Sequence, residues 1–170
     1  MLTVIRPRAR LLVTAAAALA LTSGVAWAQN AHFVGQSTAT LNNDSSVDVC
    51  FKEAGLGSNQ NITYNTTALA TATYVCVNRG GECPNAANKT TVSGPVTDTG
   101  TFSSGKNGNI NECLTLEPPG PGSFRCPGGQ TRTLSEVTYT NITLTDITNS
   151  VTSSVTPSTI SDAPFTCPSP

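Results

Sequence analysis

The chain has 170 residues, of which 11 % are charged, with nine Lys and Arg, ten Asp and Glu, one His and a net charge of −1. So few cations cannot neutralise a phosphate backbone, which excludes nucleic acid as a partner, and the low net charge is unlike that of disordered chains. Six cysteines and an abundance of Thr, Ser and Asn point to a β-rich chain suited to an oxidising compartment.

The N-terminal 28 residues read as a cleaved signal peptide. Arg6, Arg8 and Arg10 form a basic start, Leu11 to Leu21 an apolar run, and Ala26-Trp27-Ala28 a small-x-small cleavage pattern. The apolar run is about 11 residues, against roughly 20 for a membrane span, so no membrane span is expected. No cysteine at the cleavage point offers a lipid anchor, and the arginines are not adjacent as twin-arginine export requires. Residues 29–170 are therefore expected to form a single secreted domain. Its six cations (Lys52, Arg79, Lys89, Lys106, Arg125 and Arg132) face ten carboxylates.

Period-2 alternation recurs along this domain and helical periodicity does not. Residues 33–41 read as a first strand. Residues 46–52 set Val47, Val49 and Phe51 against Ser46, Asp48 and Cys50. Residues 69–78 give the strongest strand, and 90–97 and 99–103 two short ones around a Gly-Pro turn. Asn107-Gly108 predicts a type I′ hairpin joining 99–104 to 109–117, with Ile110, Leu114 and Leu116 on one face and Cys113 on the other. Residues 133–148 alternate with two phase slips, which predicts bulges near Glu136 and Asn141. Residues 151–166 add an edge strand. Turn signals every 8–14 residues fit an all-β fold, an immunoglobulin-like β-sandwich stapled by disulfides.

Cys50, Cys76, Cys83, Cys113, Cys126 and Cys167 allow fifteen connectivities. Spacing suggests that Cys113 and Cys126 close the Pro118-Pro119-Gly120-Pro121-Gly122 loop. Cys50 and Cys76, both in strands, make a plausible second pair, which leaves Cys83 with Cys167. There is no CxxC spacing of a zinc site.

The strings VCFKEAGLG (49–57), TYVCVNRGG (73–81), AANKTTVSGPV (86–96), TFSSGKNGNI (101–110), ECLTLEPP (112–119) and CPGGQ (126–130) resemble a family of small exported actinobacterial proteins of unassigned function. The resemblance spans about residues 45–148. It implies an exported β-class protein and transfers no functional residue. Family members share cysteines matching Cys50, Cys76, Cys113 and Cys126 and often lack those matching Cys83 and Cys167, which fits a third, additional bridge.

Chemistry-bearing motifs are weak. Gly100 to Lys106 matches the first seven positions of a phosphate-binding loop, but Asn107 replaces the metal-binding hydroxyl and a turn replaces the helix. His32, the only histidine, is expected on a frayed end and is no catalytic candidate. Asp44, Asp48 and Glu53, and Glu112 and Glu117, read as solvated strand ends. The Asn42-Asn43-Asp44…Asp48 cluster lacks the glycine and terminal glutamate of a calcium loop and reads as a polar turn. Asn43, Asn61, Asn65, Asn88 and Asn141 lie in N-x-[ST] sequons, read for a bacterial source as ordinary surface. The alternating pairs Thr71 and Thr73, Thr138 and Thr140, and Thr143 and Thr145 read as the solvent face of amphipathic strands, or as a flat hydroxyl array for glycan contact.

These features describe a secreted, non-enzymatic module with no cofactor, no catalytic or metal-binding residue, and an unknown extracellular partner or surface. Two alternatives remain. A small-ligand carrier requires an apolar cleft reached by Phe102 or Phe124. A secreted protease inhibitor requires a rigid loop closed by Cys113–Cys126.

Overall fold

A computed structural model describes residues 30–83 and 88–168. The expected signal peptide lies outside the described residues. Those residues contain nine strands and no helix: β1 (His32–Phe33), β2 (Ser37–Leu41), β3 (Val47–Ala54), β4 (Asn61–Val77), β5 (Lys89–Ser103), β6 (Ile110–Leu116), β7 (Thr131–Asp146), β8 (Val151–Thr156) and β9 (Ile160–Asp162). The described residues are all-β and sandwich-like.

One layer is centred on β3, with β6 along one edge and β1 and β2 sharing the other. The second layer is centred on β4 and β7, with β5 beyond β4, and β8 and β9 sharing the far edge of β7. A short parallel pairing of β2 with β8, Ser37 opposite Val155, joins the layers into one mixed hydrogen-bonded set. On the other side, the Thr115 N–H of β6 donates to Asp98 Oδ2 of β5 at 2.9 Å.

The core lies between the layers. Val47, Val49 and Phe51 of β3 and Leu114 and Leu116 of β6 meet Ile62 and Tyr64 of β4 and Val137, Tyr139 and Leu144 of β7. Burying each large apolar side chain contributes roughly 1.5–3 kcal/mol relative to leaving it exposed. At one end Phe51 and Tyr64 have ring centroids 4.4 Å apart, with Phe33 and Phe102 packed edge-on around them.

Several expectations need correction. The first strand, expected over 33–41, is two pieces on one edge of β3, broken where Gly35 takes a φ of 76°. The strand expected over 69–78 begins at Asn61. Its Asn- and Thr-rich first half still alternates, with Ile62, Tyr64, Thr66 and Ala68 facing inward. The expected Gly-Pro turn does not form, and β5 runs straight through Gly94-Pro95. Among the described strands β5 pairs only with β4 and forms the sheet edge, where proline is tolerated.

The hairpin at Asn107-Gly108 is also absent. Asn107 has no positive φ, whereas a type I′ turn needs two in succession. Instead β5 pairs with β4 and β6 pairs with β3, so the connection crosses between layers. The two phase slips in β7 are real: the β4–β7 register shifts beside Ser135 and Asn141, and Asn141 takes a φ of 54°. Each shift places an extra residue in β7, as a bulge does.

All six cysteines are bridged, as Cys50–Cys113, Cys76–Cys126 and Cys83–Cys167. The third pair is the one expected, and the expected Cys50–Cys76 and Cys113–Cys126 pairs are overturned. The reason is the phase of β3. Its core face carries Val47, Val49 and Phe51, so Cys50 points away from the second layer and cannot reach Cys76. It stands directly opposite Cys113 of β6 instead. Cys76 ties the end of β4 to the loop after β6, which is pinned further by the Tyr74 hydroxyl donating to the Pro119 carbonyl at 2.9 Å.

Candidate functional site

The register of the second layer brings many of its threonines together on one outward face. From Asn61 to Thr71 the odd-numbered residues of β4 point outward, and their partners on β5 and β7 are again mostly Thr or Ser. Thr67 stands between Thr97 and Thr143, and Thr71 between Ser93 and Thr138. Thr145 extends to Thr152 of β8, and Thr138 to Ser161 of β9. Hydroxyls of neighbouring strands meet: Thr63 with Thr101 at 2.9 Å, Thr67 with Thr143 at 2.9 Å, Thr71 with Ser93 at 2.8 Å, Thr138 with Ser161 at 3.0 Å. Such pairs contribute a few tenths of a kcal/mol each to the sheet and fix the rotamers of the hydroxyls. Leu69, 47 % exposed, and Pro95 interrupt the middle of the face. The rows through Asn65, Thr67 and Thr71 carry no charge, and Glu136 beside Thr73 marks one end.

Of the threonines singled out in the sequence, the face unites Thr71 with Thr138, Thr140, Thr143 and Thr145, while Thr73 is buried. The β5 threonines Thr97, Thr99 and Thr101 belong to it equally. Their alternating spacing was a usable signal, but only the strand order shows that they adjoin β4.

A second feature lies inside the sandwich. Glu53 is the next inward residue of β3 after Phe51 and has no exposed surface. It is therefore not the solvated strand end expected from sequence. Tyr64 and Asp146, register partners on β4 and β7, are equally buried and face it. Burial, reinforced by the nearby Asp146, pushes the Glu53 carboxyl up to about 7, while the Tyr64 hydroxyl and His32 pull it back. Burial also raises the Tyr64 phenol, reinforced by the negative charges of Glu53 and Asp146. Sequence reasoning missed Tyr64 and Asp146.

A third feature is a groove of about 480 Å³ beside the Cys83–Cys167 bridge, with Val75, Lys89, Glu136 and Phe165 among its walls. It is not reached by Phe102, which packs in the aromatic end of the core, or by Phe124, which lies in the loop after β6.

The remaining candidates resolve into structure. His32 is held in β1 opposite Ala54, not on a frayed end, and its Nδ1 pairs with the Asn30 carbonyl at 2.7 Å. Within the phosphate-loop-like stretch, Gly100 is part of β5, and the Ser104 hydroxyl donates to the Gly57 carbonyl at 2.6 Å. Asp44 is exposed and accepts from the Ser46 hydroxyl at 2.6 Å and backbone N–H at 3.1 Å, which lowers its pKa and makes it a turn cap between β2 and β3. Asp48 accepts from Thr115 Oγ1 at 2.7 Å across β3–β6. Glu112 and Glu117 are exposed. Among the described residues no three His, Cys, Asp or Glu side chains cluster as metal ligands, and no helix is long and apolar enough to cross a membrane.

Comparison with protein-family models, curated proteins and solved structures gives no match.

Proposed function

We propose that the chain is an exported, non-enzymatic binding module whose threonine face docks on an uncharged glycan surface of the cell envelope or its surroundings. The observation that carries this reading is the registered hydroxyl array across β5, β4, β7 and the β8–β9 edge. Fixed hydroxyls offer lone pairs and methyl groups to a neutral, hydroxyl-rich polymer, and their cross-strand bonds lower the entropy lost on binding. Export is supported by the basic and apolar N-terminal pattern and by three disulfides, which persist outside the cytoplasm. An immunoglobulin-like relationship and membership of the exported actinobacterial family are part of the same reading. Two packed antiparallel layers support the former and the sequence strings support the latter.

The test is co-sedimentation of the purified protein with insoluble peptidoglycan, chitin and cellulose. Binding to at least one of them, lost in a T67V/T97V/T143V variant that keeps the strand shape, supports the proposal. Binding by none, or binding unchanged in the variant, contradicts it.

One observation favours a second reading. The groove beside Cys83–Cys167 has the volume of a small-ligand site, although it lies elsewhere than the Phe102 or Phe124 cleft expected of a carrier. The inhibitor reading loses the Cys113–Cys126 closure it named, and the proline-rich loop is held by Cys76–Cys126 instead.

A further inference from the structure

We infer that the buried Glu53 carboxyl is a one-proton latch between the two layers, tight while it is protonated and weakened when that proton leaves for solvent. Glu53 belongs to β3 in the first layer, and Asp146 and Tyr64 belong to β7 and β4 in the second. All three have no exposed surface, and no donor approaches either Glu53 oxygen within hydrogen-bond geometry. The surroundings are aromatic: Phe51 lies two residues before Glu53 on the same face, 4.4 Å from the Tyr64 ring, and Phe33 packs against both.

A carboxylate buried without a partner is costly, and two facing carboxylates in an apolar site do not both ionise. Asp146 has its donors already: Asn149 gives its backbone N–H at 3.0 Å and its side-chain amide at 2.6 Å. Glu53 has no such donors, so it is the carboxyl that holds a proton. The groups facing Glu53 are Tyr64 on β4, Asp146 on β7 and His32 on β1, and its neighbour across β6 is the apolar Ile110. The imidazole of His32 opposes protonation but is exposed, so solvent screens it. Burial dominates and holds the group up to about 7, against an ordinary 4.5.

The folded state holds the Glu53 proton more tightly than the unfolded chain does. The stabilisation is fully present below the unfolded value, and it is lost as pH rises through the folded value near 7. The device is independent of which ligand the outer face takes.

The test is urea unfolding of the disulfide-intact protein between pH 4.5 and 8, wild type against Glu53→Gln. In the wild type the unfolding constant should rise on the order of a hundredfold more across this window than in the variant. Equal pH dependence in the two proteins overturns the latch. Should the variant fail to fold, the side-chain carboxyl carbon of Glu53 in the wild type, followed by NMR, decides. A midpoint near 7 supports the latch, and a midpoint in the ordinary carboxylate range, about 4 to 5, overturns it.

Discussion

The Tyr139 hydroxyl donates to the Ser45 carbonyl oxygen at 2.9 Å, tying the middle of β7 to the turn between β2 and β3. Tyr139 is fully buried, and Ser45 is 2 % exposed in a left-handed conformation with φ of 67°. Replacing Tyr139 by Phe leaves that carbonyl without its partner. We expect a loss of about 1–2 kcal/mol, read from the urea midpoint. An unchanged midpoint would show that the bond contributes nothing net.

The Cys50–Cys113 bridge lies on the outward face of β3–β6 and closes a segment of 63 residues. A C50A/C113A variant should lose about 2–4 kcal/mol through its freer unfolded state while keeping the near-ultraviolet signal of the buried tyrosines. Loss of that signal would mean that the bridge shapes the core as well. Non-reducing peptide mapping should recover Cys50 with Cys113 and Cys76 with Cys126.

Gly55 takes a φ of 76°, and a Cβ there would collide with the Asn30 carbonyl. Gly55→Ala should therefore cost more than about 1 kcal/mol. Gly94, which has open space around its Cβ position and no positive φ, should accept Ala with no loss. Thermal melts of the two variants compare them directly, and equal stability of the two would contradict the assigned conformation at Gly55.

Tyr64 pulls the Glu53 carboxyl down from where burial alone would set it. Tyr64→Phe should move the Glu53 titration to higher pH. Because Glu53 is already raised above its unfolded value, the pH at which stability is lost should rise too. The Tyr64 hydroxyl is buried with no geometric hydrogen-bond partner, so its removal should not lower stability at pH 5. A shift to lower pH would mean that Tyr64 acts otherwise.

The fold class was legible because alternation is a local signal. Val47, Val49 and Phe51 name the core face of β3, and the phase slips in β7 name its bulges. Extending the same alternation by one step puts Glu53 in the core, but a carboxylate is ordinarily solvated and was read so. The phase of β3 and β6 likewise places Cys50 and Cys113 on outward faces, a better guide to their pairing than spacing. The hairpin at Asn107-Gly108 failed for a different reason. A local turn preference of a few tenths to about 1 kcal/mol is outweighed by fifteen residues of β5 registering on β4 and by β6 packing its leucines under β3. Tyr64 and Asp146 lie 82 positions apart, and only the β4–β7 register unites them. The same holds for the hydroxyl face, whose threonines come from separate strands.

The most direct measurement of the binding proposal is an NMR titration of threonine methyl groups with soluble fragments of whichever glycan binds. The account predicts shifts at Thr67, Thr97 and Thr143 on the outer face of the second layer, with Thr38 and Thr40 of β2 unmoved. Shifts confined to the groove around Phe165, or to the β2 threonines, would contradict it.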